Sequence, residues 1–140
     1  MTAGPLRLLA EDADDLEVIS AALQDAATHV GDIHWEPTAR RLTIAFNRFR
    51  WEVGDGERVM AGFQIGGVES VRTRNLRREA KEAVLQLLAL TFEPAEPPGG
   101  RILFAFADGG DIAADVECVD AALADLSEPW RAAHKPGHQA

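Results

Sequence analysis

The sequence contains very little cysteine, since Cys118 is the only one in 140 residues. A single cysteine excludes a disulfide within the chain and is typical of a reducing compartment. No apolar run approaches the roughly 18 residues of a membrane-spanning helix, and the N-terminal residues lack the apolar core of a secretory signal. We therefore expect a cytoplasmic protein with no membrane partner.

Basic residues are outnumbered by acidic ones, but they are unevenly distributed. The net charge is −9, which argues against nucleic acid as a partner because phosphate contacts need clustered lysine and arginine. The segment 40–81 nevertheless contains ten basic and five acidic residues and carries +5, whereas the flanking segments together carry −14. This asymmetry directs the search for a binding site to the middle of the chain.

The chain length and composition predict one globular domain. Apolar residues make up 46% of the sequence and charged residues 26%, both near the average of globular proteins. A chain of this size buries a hydrophobic core without a disulfide or a structural metal. We predict a single α+β domain over residues 1–130 and a mobile tail over residues 131–140.

The N-terminal part predicts a short strand or docked arm over residues 6–10 and an amphipathic helix over residues 13–26. Asp12 is suited to the N-cap, where its carboxylate accepts a backbone hydrogen bond. Leu16 and Ile19 lie at helical spacing and belong to the face that we expect to be buried.

Beyond residue 29 the apolar residues alternate with a period of two, which is typical of strands. The predicted strands cover residues 30–36, 41–51, 59–65, 68–75, 84–93, 101–107 and 111–118. In the second of these strands, Phe49 and Trp51 have the opposite parity to Phe46. We therefore expect a bulge near Asn47 or Arg48, which would return both apolar sets to the core.

Two stretches of the sequence have less decisive patterns. Residues 77–92 fit either a helix or a strand. We favour a polar turn over residues 76–82 followed by a strand, because the end of the stretch is strand-like and adjoins the next hairpin. Residues 119–126 predict a short closing helix, in which Val119 and Leu123 share one face.

These elements together predict an α+β fold. It has one N-terminal helix, an antiparallel meander of about seven strands and a short C-terminal helix. A strongly twisted meander commonly curls into a roll or a partly closed barrel capped by a helix. The number of elements is also compatible with a pleckstrin-homology-like barrel.

Four segments carry a resemblance to a known family. They are "LQDAATHVGDIHW" (23–35), "FNRFRWE" (46–52), "LLALTFEPAEPPGG" (87–100) and "FADGGDIAADVECVDAALADL" (106–126), followed by Trp130. With these segments the sequence resembles the small alphaproteobacterial family catalogued as domain of unknown function 2948, over residues 6–134. The resemblance implies a standalone cytoplasmic bacterial protein, and it implies no activity, cofactor or partner.

The histidines and the cysteine form no recognised catalytic or metal-binding pattern. His29 and His34 are five residues apart, so on one regular strand they point to opposite faces. Cys118 lies between Val116 and Val119, where we expect a buried and unreactive thiol. We therefore predict no catalytic residue, no metal ligand and no cofactor.

The remaining candidate site is an arginine cluster in the basic segment. Arg48 and Arg50 share one face of a predicted strand, and Arg72 and Arg74 share one face of another. If these strands are neighbours, four guanidinium groups converge on one patch that is suited to bidentate recognition of an anion. The predicted ligand-binding residues are Asn47, Arg48, Arg50, Trp51, Arg72 and Arg74. The competing interpretation is a solvated sheet face whose arginines pair with acidic side chains of the flanking segments.

The charge distribution leaves three functional hypotheses open. The leading one is a non-enzymatic binding or interaction module whose basic sheet face meets an anionic ligand or an acidic protein surface. The alternative is an enzyme that acts on a small anionic substrate near Asn47, Arg48 and Trp51, which requires a deep cleft with a perturbed carboxylate or histidine. The third is a chiefly structural homodimer.

Overall fold

A computed structural model describes residues 4–54 and 56–131 of the protein. It contains one helix, α1 (Ala13–Ala22), and eleven strands. The strands are β1 (Arg7–Ala10), β2 (Ala27–His29), β3 (Ile33–Glu36), β4 (Arg41–Phe49), β5 (Glu57–Ile65), β6 (Val68–Arg74), β7 (Val84–Pro94), β8 (Gly100–Phe106), β9 (Asp111–Val116), β10 (Ala121–Asp125) and β11 (Trp130–Arg131). A short 3-10 turn (Val30–Asp32) separates β2 from β3.

The strands belong to one antiparallel sheet that does not close on itself. Its hydrogen-bonded order is β1-β10-β5-β4-β2-β7-β8-β9-β6, with β3 paired to β4 and β11 paired to β5. The predicted α+β roll or partly closed barrel of seven strands, including its pleckstrin-homology-like form, is therefore wrong. A meander requires strands that are consecutive in sequence to be neighbours, whereas here β10 lies between β1 and β5 and β2 joins β4 to β7.

The N-terminal helix begins as predicted but ends at Ala22. At its start, the backbone N–H of Asp15 donates to Oδ1 of Asp12 at 2.8 Å. The residues predicted to form the last turn pair with β7 instead. The N–H of Asp25 donates to the carbonyl of Leu87 at 3.0 Å, and the chain beyond it continues into β2. Pairing with the sheet has thus replaced the final helical turn.

The predicted closing helix over residues 119–126 is wrong, because most of this segment forms β10. The strand is hydrogen-bonded on both sides, with Leu123 opposite Leu8 of β1 and Phe63 of β5. Its side chains alternate between buried and half-buried positions over most of its length. Alanine and leucine favour helices locally, but pairing with a strand on each side outweighs that preference.

Several other predicted strands are present, with small differences at their ends. The ambiguous stretch 77–92 enters a strand, β7, as we favoured. The last predicted hairpin is formed by β8 and β9, in which Phe104 lies opposite Ile112. The predicted strand over residues 30–36 is shorter, because its first three residues form the 3-10 turn.

The strand β4 runs without the predicted bulge. Its register with β5 is continuous from Leu42 to Phe49. Arg48 therefore has the same parity as Leu42 and occupies a position on the core side, where its side chain is buried. Phe49 is also buried, on the other face of the strand, where its ring centroid lies 4.6 Å from that of Trp51. Both apolar sets are covered without a bulge.

One hydrophobic core joins α1 to the inner side of the sheet. Leu16 and Ile19 of the helix pack into the same cluster as the buried side chains of the strands. The rings of Phe63 on β5 and Phe104 on β8 make a T-shaped contact at a centroid distance of 5.9 Å, although three strands separate β5 from β8 in the sheet order. The sheet is therefore curled so that its two halves face each other across the core.

The predicted tail lies almost entirely outside the described residues. Its first residue, Arg131, belongs to β11 and lies opposite Glu57 of β5. The mobility of residues 132–140 and the domain boundary at residue 130 stay predictions. Across residues 4–54 and 56–131, the structure has no helix with the length and hydrophobicity needed to cross a membrane.

Two leucine substitutions test the assignment of β10 as a strand. The side chain of Leu123 is fully buried, so Leu123→Ala should lower the free energy of unfolding by about 2–5 kcal/mol. Leu126 would share a face with Leu123 in the predicted helix, but its side chain is 67% exposed. Leu126→Ala should therefore change the free energy of unfolding by less than about 0.5 kcal/mol. Urea denaturation measures both values, and equal losses would contradict the strand.

Candidate functional site

The structure does not bring the four predicted arginines onto one surface. Arg48 and Arg50 lie at the end of β4, whereas Arg72 and Arg74 lie on β6. The strand β6 pairs with β9 and is the last strand in the sheet order, so it is not a neighbour of β4. A shared patch required the two arginine-bearing strands to be neighbours, and they are not. Ligand binding by the six predicted residues stays a prediction.

Arg48 is the centre of a buried ion-pair network. Its Nε and Nη2 donate to the two carboxylate oxygens of Asp125 at 2.9 Å each. Its Nη1 and Nη2 donate to Glu52 at 2.9 and 2.6 Å, and Nη1 also donates to the carbonyl of Phe49 at 3.3 Å. A guanidinium has five N–H donors, so each of them has an acceptor here. Arg48 therefore has no donor left for a ligand.

The interactions within this network favour the charged forms of the Arg48 guanidinium and the Glu52 carboxylate. Burial opposes the charge on Arg48, but its hydrogen bonds to Glu52 and Asp125 outweigh burial and raise the pKa of the guanidinium. The hydrogen bond from Arg48 in turn lowers the pKa of Glu52 below its ordinary value of 4.5, against the opposing effect of burial. The side chains of Arg48 and Asp125 are 0% and 2% exposed. We therefore assign the network to the stability of the fold.

The other predicted residues of this region also contact the protein itself. Arg50 is buried and forms a salt bridge with Glu57. The side-chain oxygen of Asn47 accepts a hydrogen bond from Arg58 at 2.9 Å. The indole N–H of Trp51 donates to the backbone carbonyl of Gln24, two residues after α1, at 3.2 Å. These contacts hold the end of β4 in place.

A cavity of about 310 Å³ lies beside Arg50. Asp125 and Glu128 line it together with Ser127 and with Gly4 and Pro5 of the N-terminal arm. Two carboxylates beside one arginine make the cavity a poor site for an anion, because like charges repel. It is therefore not the site that the charge asymmetry of the sequence predicts.

Arg72 and Arg74 lie on the outer face of the sheet, where β9 supplies acidic partners. The Nε and Nη2 of Arg74 donate to Asp111 at 3.0 and 2.7 Å. Arg72 lies 3.5 Å from Asp115, which also accepts a hydrogen bond from Arg101 at 2.9 Å. The bond from Arg101 is the main reason that the pKa of Asp115 is lowered. This arrangement matches the competing interpretation, a solvated face with paired charges.

A cleft lies between β3 and β6, at the end of the sheet. Its volume is about 320 Å³, at the lower end of the range for small-molecule sites. The lining residues are Val30, Ile33, Trp35, Val71, Arg72, Thr73, Leu76, Arg78, Lys81 and Ile112. The cleft exists because the sheet does not close. Among the described strands, β6 ends the sheet and β3 pairs with β4 alone.

The polar side of the cleft comes from the turn that precedes β7. The backbone of this turn is fixed by two hydrogen bonds, from Gly31 to the carbonyl of Lys81 at 2.8 Å and from Val30 to that of Ala83 at 3.0 Å. A Cβ atom on Gly31 would lie only 3.1 Å from the carbonyl oxygen of Lys81, so the close approach favours glycine. The sequence thus places Lys81 beside the start of β3.

The cleft combines an apolar floor with a basic rim. Trp35 and Val71 pack against the hydrophobic core, and Ile112 is fully buried. The three charged residues that line the cleft are all basic. Two of them, Arg78 and Lys81, are exposed and form no salt bridge within residues 4–54 and 56–131. The cleft is suited to an anion that carries an apolar group.

Sequence reasoning identified the basic segment but not this cleft. It placed Arg78 and Lys81 in a polar turn, without a partner surface, and it did not connect them with Trp35. The alternation of residues along β3 places Trp35 on the same side as the core. This pattern could have indicated that Trp35 contributes to the floor of a cleft. Which strand edges border a cleft depends on the complete sheet order, and no local pattern contains that order.

The described residues offer little for metal binding or nucleophilic catalysis. No group of three or more His, Cys, Asp or Glu side chains in this part of the chain is arranged to hold a metal ion. Cys118 is half-buried, although we expected it to be buried. His29 and His34 lie on different strands, and His29 lies 3.4 Å from Asp32.

The fold and the cleft define a small antiparallel β protein with a basic opening at the end of its sheet. The chain belongs to the family described as "Protein of unknown function (DUF2948)", whose model matches residues 6–138. Comparison with curated proteins and with solved structures finds no match. The family match contains no organism, so the alphaproteobacterial origin stays a prediction.

Replacing Arg48 tests whether the buried network stabilises the fold. Arg48→Met leaves the carboxylate of Asp125 buried without its cation, so it should lower the free energy of unfolding by about 3–5 kcal/mol. The control is Arg74→Met, which removes an exposed salt bridge with Asp111 and should cost less than about 1 kcal/mol. Urea denaturation of both variants measures the difference. If both variants lose the same free energy of unfolding, burial of the Arg48–Asp125 pair is not the cause of the loss in Arg48→Met.

The lowered pKa of Glu52 makes the stability of the fold depend on pH. A carboxylate whose pKa is lower in the folded chain stabilises the fold above its ordinary pKa of 4.5, and this contribution disappears as the pH falls through the lowered value. Glu52→Gln should therefore reduce the free energy of unfolding at neutral pH and make it fall less steeply below pH 4.5. Urea denaturation across this range is the measurement. An unchanged slope would contradict the role of Glu52.

Proposed function

We propose that this protein is a non-enzymatic binding module that holds an anionic ligand in the cleft between β3 and β6. The observation that carries the proposal is the lining of the cleft, where Arg72, Arg78 and Lys81 surround an apolar floor without a carboxylate. Arginine can bind a carboxylate, sulfonate or phosphate through two parallel hydrogen bonds, and lysine adds a compact positive charge. The expected ligand therefore has both an anionic group and an apolar group.

The proposal changes the predicted site more than the predicted function. Of the six residues predicted from the sequence, Arg72 lines the cleft, whereas Arg48 and Arg50 are buried in ion pairs. The ligand class, an anion, is unchanged. The anion-binding groups change, because Arg78 and Lys81 at the rim of the cleft take the role that was predicted for the basic sheet face.

Binding is better supported than catalysis at this cleft. The enzyme alternative needs a general acid or base beside the substrate, most often a histidine or a carboxylate. The residues that line the cleft include neither. A cytoplasmic location remains part of the proposal, and the single cysteine of the sequence supports it. The homodimer remains a prediction.

Binding of the dye anilinonaphthalenesulfonate tests the proposal, because this dye is an anion with an apolar ring system. We expect it to bind to the native protein with increased fluorescence. The double variant Arg78→Gln and Lys81→Gln should bind it at least about tenfold more weakly, since it removes two charged hydrogen-bond donors.

The control for this test is the double variant Arg7→Gln and Arg77→Gln. It changes the net charge by the same amount, but neither residue lines the cleft. It should bind the dye as the native protein does. If the two double variants bind the dye equally well, the cleft is not its site and the proposal is wrong.

A further inference from the structure

Two strand edges without a strand partner border the cleft. β6 is the last strand of the sheet order, so its edge opposite β9 has no partner strand in the part of the chain that the structure describes. β3 pairs with β4 on one edge and with no described strand on the other. An edge of this kind presents backbone N–H and C=O groups that can pair with an added strand.

The two free edges border one gap, which we call the seam. Side chains of both strands line the same cleft, including Trp35 of β3 and Val71 of β6. At one end the seam is tied together, because the N–H of Val68 donates to the carbonyl of Arg40 at 2.9 Å. Beyond that bond no described strand pairing joins β3 to β6, and the cleft occupies this gap.

We infer that the ligand is an acidic segment of another polypeptide, bound in extended form as an added strand in the seam between β3 and β6. This inference rests on the proposed function and names the class of its partner. The backbone of the segment would pair with the free edges, as in other cases of recognition by strand addition. The basic rim, with Arg78 and Lys81, would select acidic side chains.

An extended segment meets the chemistry of the seam on both of its faces. Side chains of a strand point alternately to its two sides. Those that point inward would contact the floor formed by Trp35 and Val71, so they should be apolar. Those that point outward would lie near Arg72 and Arg78, so they should be acidic. The partner should therefore alternate apolar and acidic residues.

The length of the segment follows from the shorter of the two strands. β3 has four residues, and four residues of extended chain span about 13 Å. The net charge of −9 has little effect at the seam, because charges farther away than about 8 Å are largely screened at physiological salt. Two carboxylates near the seam, Glu36 and Asp115, form salt bridges with arginines. The basic side chains at the rim act on the segment directly.

The test uses three capped heptapeptides that alternate valine with a charged residue. The first contains glutamate, and the second contains lysine at the same positions. The third is the glutamate peptide with N-methylated valines, which keeps the charge but removes half of the backbone donors. Displacement of anilinonaphthalenesulfonate from the full chain measures binding, and amide hydrogen exchange identifies the protected strand.

The glutamate peptide should displace the dye and slow amide exchange within residues 71–74. The lysine peptide and the N-methylated peptide should each bind at least about tenfold more weakly, because one lacks the charge and the other lacks the backbone hydrogen bonds. The double variant Arg78→Gln and Lys81→Gln should weaken binding of the glutamate peptide by a similar factor.

The two proposals can fail separately in this experiment. If binding of the dye depends on Arg78 and Lys81 but the glutamate peptide does not displace the dye, strand addition is overturned and the proposed function stands. Equal binding of the N-methylated peptide overturns strand addition as well, and so does protection of β1, the edge strand at the other end of the sheet. If neither dye nor peptide depends on Arg78 and Lys81, the proposed function fails too.

Discussion

The arrangement of the sheet depends on one buried positive charge, the guanidinium of Arg48. A buried charge is tolerated only when its hydrogen bonds are complete, and here the acceptors come from separate parts of the chain. Asp125 ends β10, Glu52 follows β4, and the carbonyl of Phe49 belongs to β4 itself. Asp125 also accepts a hydrogen bond from the N–H of Leu6 at 2.8 Å, which holds the N-terminal arm against β10. The network thus joins the start, the middle and the end of the described chain.

This network also explains where sequence reasoning succeeded and where it failed. Local patterns were sufficient for the N-cap at Asp12 and for strands such as β7, because capping and alternation are set by neighbouring residues. They were insufficient for Arg48, whose partner Asp125 lies 77 positions away. The bulge was predicted from the opposite parity of Phe49 and Trp51, whereas in the structure the pairing with Asp125 allows Arg48 to occupy a core position in a regular β4. Local patterns also predicted the segment before Asp125 as a helix, although its partners are the distant strands β1 and β5.

The candidate site shows the same division between local and global information. The positive charge of segment 40–81 is visible in the sequence, but its members have different roles in the structure. Arg48 and Arg50 are buried in ion pairs, and Arg74 pairs with Asp111 on the outer face. Arg78 and Lys81 instead line the cleft. Composition counts these charges equally, whereas the sheet order decides which of them meet a partner within the protein.

An open sheet needs protection against pairing with its own copies, and its basic residues offer that protection. Natural proteins commonly place charged side chains on free edges to prevent strand addition by identical chains. Arg78 follows β6 and, like Lys81, forms no salt bridge in the described part of the chain, so two copies of this edge would bring these like charges together. The same basic side chains that repel a second copy of the protein attract an acidic segment. The same residues can therefore leave the seam open to one class of partner while keeping the protein from pairing with itself through this edge.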